Sequence, residues 1–300
     1  MISEQCPRLS VIVANYNKVA FIRTCLDSIL SQTYVNLETV ICDDASTDGS
    51  KGIVEEYARI HGERVKGLFL TANRGVAYAR HQAICAAGGE YITTLDSDDY
   101  YLDARKLERE MNLVLEFRDK HGQDILAFSP VAMVDKNGAA TGPLARGLPV
   151  REGRILGSIL GRSCLIPRDF ILKKSAYLEV GGYDFSLKTH EDWDLKIRLA
   201  GEYEFYCTGT PGVAYRKAPG GLSSFHFQTA RNLWQVFLRH IERLPRADRW
   251  LVAGDFFAFL NRRRRYLKNE HRQEVCQRLA NAVLGGLGRM RFRWLMMRGR

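Results

Sequence analysis

The chain has 300 residues, 46% of them hydrophobic and 26% charged, at a formal net charge of +10. That length buries a full core, and the composition excludes a disordered or low-complexity polymer. The charge is uneven: residues 226–300 hold 17 Lys and Arg against 5 Asp and Glu, and the first 225 hold 27 against 29. No apolar run nears the roughly 20 residues needed to cross a bilayer, and Leu9 to Ala14 is too short for a signal segment. The seven cysteines form an odd, scattered set without a CxxC pair. Cys25, Cys42 and Cys85 sit among apolar neighbours, as buried thiols of a reducing compartment would.

In chain order, Leu9 to Ala14 is an apolar, β-branched run, the pattern of a strand buried on both faces. Phe21, Ile22, Cys25, Leu26, Ile29 and Leu30 repeat at helical spacing. Glu38 to Cys42 reads as a second strand, and Ile53, Val54, Tyr57 and Ile60 mark a second helix. Val65 to Leu70 is a third strand, and Val76 to Ala87 a third helix closed by Gly88-Gly89 as its C-terminal stop. Tyr91 to Leu95 is a fourth strand. This alternation predicts an α/β fold with a mainly parallel sheet flanked by helices. Beyond it, Ala104 to Lys120 reads as a helix, Ile125 to Val134 as one strand ending in the turn Asp135 to Gly138, and Thr141 to Arg154 as a mobile loop.

In open parallel sheets, ligands bind outside the carboxyl ends of the strands. The strands predicted here end at Asn15-Tyr16-Asn17, Asp43-Asp44, Asn73-Arg74-Gly75 and Asp96-Ser97-Asp98-Asp99, so polar groups converge on one edge. Adjacent carboxylates repel and invite a hard divalent cation, which takes one or two carboxylates plus phosphate oxygens. Ser46-Thr47-Asp48 reads as a cap on the second helix. Arg80 could meet phosphate oxygens as a guanidinium fork or be a helix-surface arginine.

Four segments carry a family resemblance: Ser10 to Asn17 (SVIVANYN), Val40 to Ser50 (VICDDASTDGS), Asn73 to Arg80 (NRGVAYAR) and Gly89 to Asp99 (GEYITTLDSDD). A further block, Val180-Gly-Gly-Tyr-Asp184 then His190-Glu-Asp-Trp-Asp-Leu195, matches an acceptor-side motif. Over roughly residues 8–225 the chain resembles the family 2 inverting glycosyltransferases, which implies a GT-A, Rossmann-like fold. It further implies a nucleotide-binding half over about 8–100, an acceptor half over about 101–225 and a basic helical C-terminal region from 226.

What the resemblance implies for single residues is specific. Tyr16 would stack on the donor's base, and Asp44, in preference to Asp43, would accept a hydrogen bond from it. Asp96 would meet the ribose or the metal, and Asp98 would ligate Mn2+ or Mg2+. Asp192 would be the general base on an acceptor hydroxyl, or else simply cap its helix. Glu191, His190 and Trp193 would lie on the acceptor side. His190 stands where the family has a small residue, and it would line the acceptor pocket, add a metal contact or pack. The donor would be a UDP-sugar and the acceptor a glycan or lipid-linked molecule in cell-surface polysaccharide synthesis. The expected enzyme is a hexosyl- or N-acetylhexosaminyl-transferase; a nucleotidyltransferase or a non-catalytic binding module are the alternatives. Residues 261–266 (NRRRRY) lack the QxxRW signature of processive synthases, so one sugar per encounter is expected. Arg216-Lys217 and Ser223-Ser224 fall where relatives carry a closing loop.

The tail adds an expectation about location. Leu233, Trp234, Phe237, Ile241 and Leu244 share one face of a basic helix, and residues 262–265 and 289–298 mix arginine with apolar groups. Such segments suit an anionic membrane, placing the protein in the cytoplasm or peripherally on the inner face of the plasma membrane; packing on the catalytic domain is the other reading. No nucleic-acid module is recognisable, and no nucleic-acid partner is expected.

Overall fold

The computed structural model describes residues 6–143, 148–165, 167, 169–187, 189–216 and 227–263. Their elements are β1 (Leu9–Asn15), α1 (Ile22–Leu30), β2 (Leu37–Asp43), α2 (Ser50–His61), β3 (Val65–Phe69), α3 (Val76–Ala86) and β4 (Tyr91–Asp96). There follow β5 (Tyr100–Tyr101), α4 (Lys106–His121), β6 (Leu126–Phe128), β7 (Val131–Val134), β8 (Ala140–Pro143), α5 (Leu156–Gly161), β9 (Phe170–Lys173) and α6 (Lys174–Glu179). The last are α7 (Glu191–Glu202), β10 (Phe205–Cys207), β11 (Val213–Arg216), α8 (Phe227–His240) and α9 (Arg246–Arg263).

The main sheet runs β10-β6-β9-β4-β1-β2-β3, and a smaller one runs β5-β11-β7-β8. β1 pairs in parallel with β2 and β4, and β2 with β3; β9 runs antiparallel to β4 and β6. Register then does functional work. Asn15 lies opposite Asp43, and Ala14 opposite Asp96, so the carboxyl ends of β1, β2 and β4 finish level with one another.

Period-2 alternation sends β1 side chains to two apolar clusters. Val11 and Val13 join Ile22, Leu26, Val54 and Met111 from α1, α2 and α4 on one face. Ile12 joins Ala83 of α3, Leu160 of α5 and Ile197 of α7 on the other. Burial on both faces is why β1 reads as a continuous apolar run.

The structure corrects several expectations. The single strand over 125–134 divides at Ser129-Pro130: β6 belongs to the main sheet and β7 to the smaller one, because proline has no N–H to donate to a ladder. α3 stops just before Gly88-Gly89 as expected, but it does so through an extended Ala87. Those glycines also donate their N–H groups to the buried Glu38 carboxylate, and a Cβ on Gly89 would stand 2.8 Å from backbone atoms of Ser10 and Tyr91. Cys25 and Cys42 are buried as expected, but Cys85 is exposed.

The start of the basic tail packs inward. Leu233, Phe237, Ile241 and Leu244, with Val236, are buried in the cluster that holds Ile12 and Ile197, and Phe237 stacks on Phe256 of α9 at 4.2 Å between centroids. Each such side chain is worth roughly 1.5–3 kcal/mol when buried, against about 1 kcal/mol for a basic residue near an anionic surface. The apolar face of α8 is therefore buried in the core, which is the packing reading of the two that the sequence left open. Among the described residues no helix is long and apolar enough to cross a membrane. The arginine-rich stretches beyond 263 lie outside the described residues, as do residues 144–147 of the expected loop.

Candidate active site

The level strand ends are locked by hydrogen bonds among their own polar groups. Asn15 Nδ2 donates to Asp43 Oδ2 at 2.7 Å and to Ser50 Oγ at 2.9 Å, while Asp43 Oδ1 accepts the Ser46 N–H. Asp43 thus ties the end of β1 to the loop that leads into α2. Asp44 accepts the N–H groups of Arg74 and Gly75 at 2.7 and 2.8 Å, fastening the loop before α3 to the end of β2. A carboxylate has room for about four such bonds, so Asp44 keeps acceptor capacity at the sheet edge. Asp48 does more than cap: it accepts from Ser50 at the start of α2 and also from the Val19 N–H, tying two loops together. Tyr16, 45% exposed, leaves an open ring beside them.

Asp96 closes β4, and a tight turn (Asp99 N to Asp96 O, 2.9 Å) carries the chain straight into β5. The acidic run therefore sits where the two sheets meet. Asp96, Asp98 and Asp99 each bring a carboxylate oxygen within 4.8 Å of the others. Chain groups offset part of that charge. Arg80 forms an ion pair with Asp96, the Lys18 ammonium lies 2.6 Å from Asp98 Oδ2, and the Arg216 N–H reaches Asp99 Oδ1 at 2.8 Å. Arg216 also donates from Nε to the Asp98 carbonyl, with its guanidinium 4.7 Å from the Phe21 ring centroid.

Arg80 is not a surface arginine. Its side chain is only 12% exposed, and its guanidinium lies between Asp96 and, at 3.7 Å, Glu191 of α7. One cation thus joins the expected donor side to the expected acceptor side.

Glu191 and Asp192 open α7, where the helix dipole favours negative charge. Burial pushes the Glu191 carboxyl up, the neighbouring Asp192 charge adds to this, and Arg80 opposes both. Burial also disfavours the Asp192 anion, but the Lys196 ammonium at 2.8 Å, with Arg80, holds that carboxyl well below the usual carboxylate range. Two adjacent acids are thereby driven apart in proton affinity, which is how neighbouring carboxyls acquire different roles. Asp192 is 46% exposed while Lys196 is only 6% exposed, so an open carboxylate is held from beneath by a covered cation.

His190 precedes α7 in a left-handed conformation (φ 66°) and bonds Thr189 Oγ1. Burial, then Arg162, pushes its pKa down to about 4, so it is neutral at pH 7. It is not one of the three residues whose carboxylates cluster. Trp193 is a clear correction: it is 2% exposed, donates its indole N–H to the Ile159 carbonyl and stacks on Phe256. It faces the core: of the residues that open α7 Asp192 is the exposed one, while Glu191 and Trp193 on either side of it are buried. Lys18 and Lys196 were not singled out from sequence. Lys196 had a legible signal, the (i, i+4) spacing from Asp192 on a helix; Lys18 lies 80 residues from its partner and had none. Lys217, Ser223 and Ser224 lie outside the described residues.

Residues 10–138 match the family described as glycosyl transferase family 2. The Bacillus subtilis protein EpsE is 31% identical over 205 residues, covering 64% of this chain and 66% of that protein. An uncharacterized glycosyltransferase of Rickettsia felis is 27% identical over 289 residues, 93% of this chain but 45% of its own length. The chain thus spans about half to just under two thirds of these relatives. TuaG of B. subtilis, named for teichuronic acid biosynthesis, is 27% identical over 240 residues, covering 79% of this chain and 90% of that protein. Among solved structures, S. aureus TarS 1-349 in complex with UDP-GlcNAc shares the fold at a TM-score of 0.66 and 21% identity, over 92% of this chain and 81% of that one. The chain shares the GT-A fold of TarS; the family match contains every strand end that builds the acidic edge, and on it and the likeness to EpsE the chain belongs to glycosyltransferase family 2.

Proposed function

We propose that this chain transfers a single sugar from a UDP-sugar to a hydroxyl of a glycan or lipid-linked acceptor, with inversion at the anomeric carbon. The observation that carries the reading is the double ion pair of Arg80, which makes the acidic run and the Glu191-Asp192 pair two walls of one site. TarS with UDP-GlcNAc supports the choice of a UDP-sugar, and the name of TuaG supports a place in cell-surface polysaccharide synthesis.

In this reading Tyr16 stacks on the uracil and Asp44 accepts a hydrogen bond from it. Asp192, kept ionised by Lys196, takes the proton of the acceptor hydroxyl as that oxygen attacks the anomeric carbon and the nucleoside diphosphate departs. Three carboxylate oxygens within 4.8 Å form the hard, all-oxygen donor set that Mn2+ or Mg2+ prefers. Asp98 would hold the ion directly, with Asp96 beside it. Bound there, the ion would supply charge neutralisation for the departing diphosphate. The transferred unit is a hexose or N-acetylhexosamine, and a lipid-linked acceptor would bring the enzyme to the cytoplasmic face of a membrane.

The test is a panel of nucleotide sugars, scored for binding and for transfer or hydrolysis with Mn2+. UDP-sugars should bind, and Asp98→Ala should abolish metal-dependent UDP binding. Failure of every UDP-sugar to bind would remove the donor assignment, and undiminished binding by Asp98→Ala would remove the metal ligand.

A further inference from the structure

Two side-chain cations of the described residues, Arg80 and Lys18, lie on carboxylates of the acidic run, and they differ in how firmly they are held. Arg80 is 12% exposed and shared between Asp96 and Glu191, so it is fixed on both sides. Lys18 is 34% exposed, and among the described residues its ammonium has a single partner, Asp98 Oδ2 at 2.6 Å.

The backbone beneath Lys18 is, by contrast, firmly pinned. The Asn17 N–H donates to Ser46 Oγ at 3.0 Å, the Thr47 N–H to Asn17 Oδ1 at 2.8 Å, and the Val19 N–H to Asp48 Oδ2 at 2.8 Å. The Lys18 carbonyl accepts from Phe21 and Ile22 at 2.9 and 3.0 Å, at the entry to α1. A fixed root with a four-carbon stem and one partly open ion pair leaves a head that can leave Asp98 while its Cα stays in place. Lysine suits this: its ammonium is a compact point charge on a flexible stem, where arginine would hold a carboxylate through a planar fork.

We propose that Lys18 is a tethered cation that occupies Asp98 in the donor-free enzyme and competes there with the divalent ion. Metal alone then binds weakly. The ion that arrives with the nucleotide displaces the ammonium, and the freed charge turns to the diphosphate close by. Metal and nucleotide thereby become coupled, each easing the binding of the other. The inference rests on the reading of Asp98 as a metal ligand and adds a residue that controls when that ligand is available.

Mn2+ titration of the full chain, read by the electron-spin-resonance signal of the free ion, tests this without any turnover. Because an exposed ion pair is weak, Lys18→Met should bind Mn2+ alone about fivefold more tightly than the unaltered chain. Lys18→Arg keeps the competing charge and should bind no more tightly than the unaltered chain. Saturating UDP should tighten Mn2+ binding strongly in the unaltered chain and distinctly less in Lys18→Met. Equal or weaker Mn2+ binding by Lys18→Met in the absence of nucleotide overturns the proposal while leaving Asp98 as a ligand. Full Mn2+ binding by Asp98→Asn overturns the ligand reading itself, and the proposal with it.

Discussion

Lys196 holds its ammonium 2.8 Å from the carboxylate of Asp192, one turn earlier on the same helix. Since the Asp192 folded pKa is depressed, its ionised form is favoured above the ordinary carboxylate pKa of about 3.9 and lost only as pH falls through the lower folded value. Lys196→Met removes the leading cause of that depression and keeps the volume. The acid limb of the kcat/KM profile should then move to higher pH by about one unit, and Lys196→Arg should restore it. An unmoved acid limb would mean that Asp192 is not the group titrating in it.

If Asp192 takes the acceptor proton, Asp192→Asn should lower kcat by about 10²- to 10⁴-fold while donor affinity stays within a factor of about two. Single-turnover transfer beside UDP-sugar titration separates the two. Near-normal transfer would move the base elsewhere, and the raised carboxyl of Glu191 is the group to examine next.

Arg80→Gln should act on stability and on the site together. It leaves Asp96 and Glu191 without their shared cation. Breaking a fully buried pair costs about 3–5 kcal/mol, and because Asp96 keeps partial exposure about 2–4 kcal/mol is expected, read by urea unfolding. Adding Glu191→Gln should recover part of that loss, giving a coupling energy above about 0.5 kcal/mol in the double-mutant cycle. Strict additivity would show that the Arg80–Glu191 contact carries no energy.

β1, β2 and β4 and their polar ends were legible because strands buried on both faces carry apolar runs, and the edge begins where those runs stop; the partly exposed edge strand β3 was read from the strand-helix alternation. What was not legible depended on partners distant in sequence. Nothing near Arg80 announces Glu191, and nothing near Lys18 announces Asp98, because those meetings follow from sheet order. Trp193 was misplaced for a local reason: neighbours on a helix point about 100° apart, so a motif read as a string puts residues together that the helix separates. Ser129-Pro130 is the reverse case, a break that proline's missing N–H made readable and that the apolar run of 125–134 concealed.

Trp193 separates packing from catalysis. Trp193→Phe keeps a ring against Phe256 and loses the indole bond to Ile159, and since the Ile159 carbonyl still accepts the Arg162 N–H, it should cost about 0.5–1.5 kcal/mol for the hydrogen bond. Acceptor KM at a temperature where the variant is fully folded should be unchanged. A selective rise in acceptor KM would return Trp193 to the acceptor side.

The apolar face of α8 yields a test between two neighbouring residues. Phe237 is buried against Phe256, whereas Leu238, the next residue along, is 45% exposed. If the helix is core, Phe237→Ala should cost about 3–5 kcal/mol and Leu238→Ala under about 0.5 kcal/mol, measured by thermal unfolding. A helix lying on a membrane would behave otherwise. Its apolar face would be free in solution, so Phe237→Ala would barely change the melting temperature and would instead weaken sedimentation with anionic liposomes. The same logic covers truncation after Ser224: removing α8 and α9 uncovers Ile197, Leu199 and the rest of a cluster they now bury, and the expected product is aggregated protein rather than a soluble domain with reduced liposome affinity. A soluble, donor-binding truncation would show that α8 is dispensable to the fold and would reopen the membrane reading for that face.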